Sequence, residues 1–220
     1  MRSHIVRRSV LAVAVGAASL AGSGLPARAQ DVSPLDSHRD RELAREGRVE
    51  QGRSIGLQLQ GRYAQDRYRQ DYRNRLSEER RASGDWHPYD YARDAYFDAP
   101  ASVRYTYDGR SYDTNAFGAD SLRDAANDGY EEGVRSGEAD REDGWQRGGY
   151  RDSFVYQDGD RGYDGRDFDP SQHDHYFREG VRRGYEDGFN DRRRYGRTDE
   201  GHYLLSSGAL SGILTFEPLR

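Results

Sequence analysis

The chain has 220 residues, of which 34 % are hydrophobic and 33 % charged, and it contains no Cys. Leu, Ile, Val and Phe together number 34, fewer than one residue in six, against roughly 20 % or more in an ordinary globular chain. These counts exclude a large aliphatic core, a multi-helix membrane protein and a disulfide scaffold.

Residues 1–29 have the layout of a secretory signal peptide. Arg2, His4, Arg7 and Arg8 form a positive start, Val10 to Ala21 an apolar stretch, and Ala27-Arg28-Ala29 a small-residue cleavage site. The apolar stretch is diluted by Ala, Gly and Ser and falls short of the roughly 20 apolar residues that span a bilayer. Cleavage after Ala29 would start the mature chain at Gln30. It removes four Arg and no acid, leaving 30 basic against 39 acidic side chains, a net of −9. A chain of that sign is a poor ligand for nucleic acid, whose phosphates must be neutralised by excess basic charge. The expected location is the periplasm or the outside of the cell.

Residues 30–100 form a charged N-terminal region, helical or partly disordered. Leu57, Gly61, Ala64, Tyr68, Tyr72 and Leu76 follow three- and four-residue steps and predict one helix over about 54–82, with a weaker one near 38–48. Ser83-Gly84-Asp85 and Pro88 end it. Residues 101–220 form a second region. It opens on Val103-Arg104-Tyr105-Thr106-Tyr107, then Asp108-Gly109, then Arg110-Ser111-Tyr112. Asp-Gly between β-favouring runs predicts a hairpin. An isolated hairpin is marginal in water, so it must pack on neighbouring helices.

The most informative feature is an internal repeat. Gly129, Gly133 and Gly137 recur as Gly180, Gly184 and Gly188 at an offset of 51, together with Asp140/Asp191 and Arg141/Arg192. Ser121 with Asp124 resembles a capping box, Asp169-Pro170 is a helix start, and Gly144 and Gly196 stand where C′ glycines belong. Helices are expected over 121–143 and 170–195. Three interior Gly cost each helix roughly 3 kcal/mol relative to Ala. That cost is offset if the bare Gly faces let two backbones approach closely. The expected fold is mainly α with a small β-hairpin, built around an antiparallel Gly-zippered helix pair with aromatic side rails.

The spacer 145–169 carries Trp145, Tyr150, Phe154, Tyr156, Tyr163 and Phe168, and Ser153–Tyr156 suggests a short strand. The tail from Tyr203 to Phe216 is mostly apolar and is expected to dock on the body of the fold or on a partner.

One resemblance follows from these residues. Tyr105-x-Tyr107-x-Gly109-x-x-Tyr112-x-Thr114-Asn115, then Gly129-Tyr130-x-Glu132-Gly133-x-x-x-Gly137-x-Ala139-Asp140-Arg141-x-Asp143-Gly144-Trp145, resembles a group of exported bacterial hypothetical proteins. So does Tyr176-Phe177-Arg178-Glu179-Gly180-x-x-x-Gly184-Tyr185-Glu186-x-Gly188. The resemblance covers about 103–220. The group has no established activity, so it implies no catalytic residues.

Catalysis has no concentrated signal. There is no G-x-S-x-G, Walker or Rossmann pattern, and thiol chemistry is impossible without Cys. No cofactor is expected. Asp158, Asp160 and Asp164 crowd together as weak metal candidates. Read as a calcium loop, however, the segment puts Gly162 where a ligand belongs and Tyr163 where Gly is needed. Trp145, Tyr150, Tyr156 and Tyr163 are candidate aromatic binding residues, since exposed Tyr and Trp suit a glycan or protein surface. The reading is an exported, non-catalytic structural or interaction protein of the bacterial cell envelope, with an envelope protein or glycan as partner. The alternative is a metal- or glycan-binding module built on the spacer.

Overall fold

The computed structural model describes residues 34–82, 99–146, 148–158 and 169–220. The signal peptide of the sequence reading, Tyr163, Asp160 and Asp164 lie outside them. The chain divides into two compact units, Met1–Arg45 and Glu46–Arg220. Of the first, 34–45 are described, as the opening turns of α1 (Pro34–Leu59).

The fold is mainly α with small antiparallel sheets. The expected single helix over 54–82 is corrected to two, α1 and α2 (Tyr63–Ala82). Gly61 adopts φ +74 between them. The Gly61 N–H donates to Gln58 O (3.0 Å) and the Arg62 N–H to Leu57 O (2.9 Å), the paired closure of a Schellman turn. The new N-terminus is then capped from far away. The carboxylate of Asp143 accepts the N–H groups of Ala64 (2.7 Å) and Gln65 (2.9 Å).

The hairpin forms as expected. β1 (Val103–Tyr107) pairs antiparallel with β2 (Arg110–Thr114), Tyr105 opposite Tyr112. Asp108 and Gly109 both have positive φ, 49° and 71°, as the tight turn demands. The other edge of β1 is covered by the chain's C-terminal strand, β5 (Glu217–Pro218), giving the order β2-β1-β5.

α3 (Ala116–Glu142) starts earlier than the capping box suggested. Asn115 is the N-cap, its side chain accepting the Gly118 N–H at 3.0 Å. After α3 the chain makes a short 3₁₀ turn (Gly149–Asp152) and α4 (Phe154–Asp158), a helix where a strand was expected at 153–156. α5 (Pro170–Phe189) has Asp169 as N-cap and ends before 195. The left-handed residue that closes it is Asp191 (φ 52), so Gly196 is not its C′ residue. Gly196 instead opens β3 (Gly196–Asp199), which pairs with β4 (His202–Leu205). α6 (Ser207–Ser211) and the following residues bring Leu210, Ile213, Leu214 and Phe216 onto the core.

α3 and α5 pack backbone to backbone through their glycines, and they run parallel. The antiparallel expectation is corrected by the order of contacts. A Cβ on Gly129, Gly133 or Gly137 would collide with the backbones of Phe177, Val181 and Tyr185 in turn, each well inside 3 Å. On the facing helix, Gly180, Gly184 and Gly188 meet Ala126, Tyr130 and Val134 in the same way. Both series rise together. They also interchange when 51 is added or subtracted, so the pair has an internal two-fold relation along the helix axes. The 143–169 connection permits this. α3 is about 40 Å long at 1.5 Å per residue, and a chain of that many residues reaches at least twice as far when extended.

The pair separates two cores. On one side Tyr105, Leu122, Ala126, Tyr130, Tyr176 and Leu205 pack under the sheet and the C-terminal segment. On the other, Tyr68, Tyr72, Val155, Phe177 and Val181 pack beneath α2 and α4. Tyr is the main filler of both, its ring buried, and the hydroxyls of Tyr68, Tyr105, Tyr130 and Tyr176 are bonded to polar partners.

Candidate functional site

The interior of the helix pair holds carboxylates. Glu132, Asp140 and Asp187 are at most 1 % exposed. Each is held by several donors. Asp187 accepts the Tyr130 hydroxyl (2.8 Å) and the N–H groups of Arg194 and Tyr195 (both 2.9 Å). Asp140 accepts the Tyr185 hydroxyl (2.7 Å) and the Arg62 guanidinium (2.5 Å). Glu132 accepts the Tyr68 hydroxyl and both Arg75 and Arg135. Asp140 and Asp187 occupy the same position in their helices, three residues before the cap. Each receives a Tyr from the partner helix, a reciprocal lock that requires both C-termini at one end.

Burial raises the Asp140 carboxyl above its ordinary 3.8, and the bonds from Arg62 and Tyr185 pull it back part of the way. Burial, followed by the hydroxyl's own bond to a carboxylate, pushes Tyr130 and Tyr185 well above the ordinary 10.0. Such phenols stay neutral and serve as donors.

A groove opens beside this cluster, with a volume of about 350 Å³. It lies between the end of α1, the start of α2 and α4. Arg62 and Arg69, 7 % and 6 % exposed, line it. Arg62 also lies over the Trp145 ring, 4.5 Å from its centroid, and Arg69 over Phe154 at 5.6 Å. Gln65 joins the groove to the cluster: with its amide turned so that the nitrogen takes the place of the oxygen, it donates to Asp140 Oδ1 at 3.1 Å. The rim carries Arg53, Gln60, Asp152 and Gln157. Behind the wall, Glu50 pairs with Arg53, Arg69 and Arg73 together.

The candidate aromatic residues do not assemble into one platform. Trp145 takes the Arg62 cation. Tyr150 and Tyr156 pack edge to face on each other at 5.1 Å, with Arg151 over Tyr150. The backbone of Tyr156 accepts from Arg178 at 2.9 Å. Among the described residues no group of three acidic or His side chains is arranged to hold a metal ion. Asp158, the one described member of the acidic trio, ends α4. The six glycines Gly129, Gly133, Gly137, Gly180, Gly184 and Gly188 sit at the helix contact, as described above.

The groove was not read from sequence: Leu57 was placed on a helical stripe and Phe154 in the spacer, with nothing to join them. Arg62 and Phe154 are 92 positions apart, and only the turn at Gly61 brings them onto one wall. The signal that existed was the Gly-Arg-Tyr at 61–63, where a helical stripe meets a glycine. Compared with protein-family models, curated proteins and solved structures, the chain matches none.

Proposed function

We propose that the chain is an exported, non-catalytic structural or interaction protein of the bacterial cell envelope. One observation carries the non-catalytic part. The buried carboxylates Glu132, Asp140 and Asp187, the groups most suited to acid–base work, already hold Tyr hydroxyls, guanidinium groups or backbone N–H groups. A carboxylate saturated this way supports architecture, because proton transfer needs a group that can exchange its partner for a substrate atom. The export part rests on the positive start, apolar stretch and Ala27-Arg28-Ala29 of residues 1–29. It agrees with the resemblance to exported proteins. Among the described residues no helix is long and apolar enough to cross a membrane.

Expression of the tagged chain in a bacterium, followed by fractionation and mass measurement, tests the reading. The expected product begins at Gln30 and is recovered from the periplasm or medium, crosslinked there to envelope material. An unprocessed chain found wholly in the cytoplasm overturns it.

A further inference from the structure

We propose that residues 46–60, the last turns of α1 and the residue after it, form a latched arm that swings open about Gly61 while the rest of the fold stays closed. This concerns motion within the chain and stands apart from the envelope reading.

The arm is held by polar groups. Its Ser54 hydroxyl and Gln58 amide both donate to Asp66 Oδ2, at 2.9 and 2.7 Å, and its Glu50 accepts from Arg69 and Arg73 of α2. Apolar burial adds little. Val49, Ile55 and Leu59 are 48, 50 and 84 % exposed, and Leu57, turned inward, is half-buried. Space remains on both sides of the arm. About 310 Å³ lies between it and α2, beside Gln51, Gln70 and Asn74, and the groove of about 350 Å³ lies towards α4. Few buried apolar contacts mark the segments that open locally at low free energy, and part-exposed ion pairs hold weakly.

The body keeps its own fastenings when the arm leaves. Tyr68 and Arg75 tie α2 to α3 by donating to Glu132, and Asp143 caps the α2 N-terminus without help from α1. Ala64, Tyr68 and Tyr72 stay packed in the core beneath α2. The division between arm and body therefore falls at the turn, where Gly61 at φ +74 is the residue able to take up a large backbone rotation. Opening bares Asp66 and Arg69, 5 and 6 % exposed in the closed form. It also joins the spaces on the two sides of the arm into one charged face of α2.

Hydrogen exchange on the purified chain tests for the motion. The amides of residues 50–60 are expected to exchange at least roughly a hundredfold faster than those at the centre of α3. Paired spin labels test the latch. The chain has no Cys, so Arg48→Cys with Asp71→Cys, both exposed and outside the latch, supplies two unique sites. The labelled parent is expected to show one narrow separation. Glu50→Ala, Ser54→Ala and Gln58→Ala together remove the arm's half of the latch and leave every body residue in place. In that variant the separation is expected to lengthen and broaden, while Tm moves by no more than about 5 °C. Equal protection of α1 and α3 in the parent overturns the proposal. So does a triple variant that keeps the parent separation, or one in which α1 and α3 lose protection together. None of these readouts depends on where the chain is found in the cell.

Discussion

Tyr130 and Tyr185 each cross from one helix of the pair to a carboxylate of the other, and both must be protonated to donate. Their folded pKa values are raised, as are those of Tyr68, Tyr176 (to about 12) and Tyr203. Above the ordinary value of 10.0 the unfolded chain releases these protons while the folded chain keeps them. The folded state then binds more protons, so stability falls as pH rises through that window. Alkaline titration followed by tyrosinate absorbance and circular dichroism is expected to show cooperative unfolding above pH 10, with ionisation coincident with loss of helix. Tyr185→Phe removes one donor from Asp140 and is expected to cost about 1–3 kcal/mol at neutral pH. It also makes the alkaline limb shallower. A variant as stable as the parent, with an unchanged limb, contradicts the lock. Little of this was legible in the sequence. Aromatic side rails on the helix pair were anticipated, but which Tyr meets which Asp depends on the helices being parallel.

At the scale of elements, the glycine contact makes a contrast that only packing explains. Gly133 and Gly184 have the partner's backbone where a Cβ would go, whereas Gly47, Gly52 and Gly56 in α1 have nothing within 4 Å. Ala at position 133 or 184 must push the helices apart and is expected to lower stability by several kcal/mol, since the six contacts share one rigid interface. Ala at position 52 is expected to raise it by up to about 1 kcal/mol through helix propensity. Thermal or denaturant melts of the two variants should move in opposite directions. The stripe itself was legible, because spacing of four in two aligned copies marks a bare helix face. Direction was not, because a Gly stripe at i, i+4 and i+8 looks the same read from either end. Helix ends were misplaced for a related reason. Gly144 closes α3 as expected, but Gly61 and Asp191 close α1 and α5, and the glycines inside α1 are locally no different from Gly61. What selects Gly61 is Asp143, 79 positions from the Ala64 N–H it caps.

At the scale of the whole molecule, the thin aliphatic supply is distributed over two cores on opposite sides of one helix pair. The sequence reading anticipated the mainly α fold, the hairpin and the docked tail, whose last strand completes the sheet. It placed candidate aromatic residues in the spacer but could not see the groove. That groove is made by α1, α2 and α4, elements drawn from both the charged N-terminal region and the spacer. Periodicity within a segment carries no information about such meetings.

The two-fold relation of α3 and α5 also bears on how fast the chain finds its fold. Helical proteins fold quickly when their contacts are local, within microseconds to milliseconds. Here the central contact joins Gly129 to Phe177 and Gly180 to Ala126, pairs 48 and 54 residues apart. Neither helix can bury its bare face until that loop closes, at an entropic cost of about 3–4 kcal/mol. Each helix, interrupted by glycines, is also a poor nucleus alone. Stopped-flow refolding is therefore expected in milliseconds to seconds, as for β-rich domains, and Ala at Gly133 is expected to slow it while Ala at Gly52 leaves the rate unchanged. Microsecond refolding would place the rate-limiting step elsewhere. A chain that is helical by content would thus be sheet-like in its kinetics.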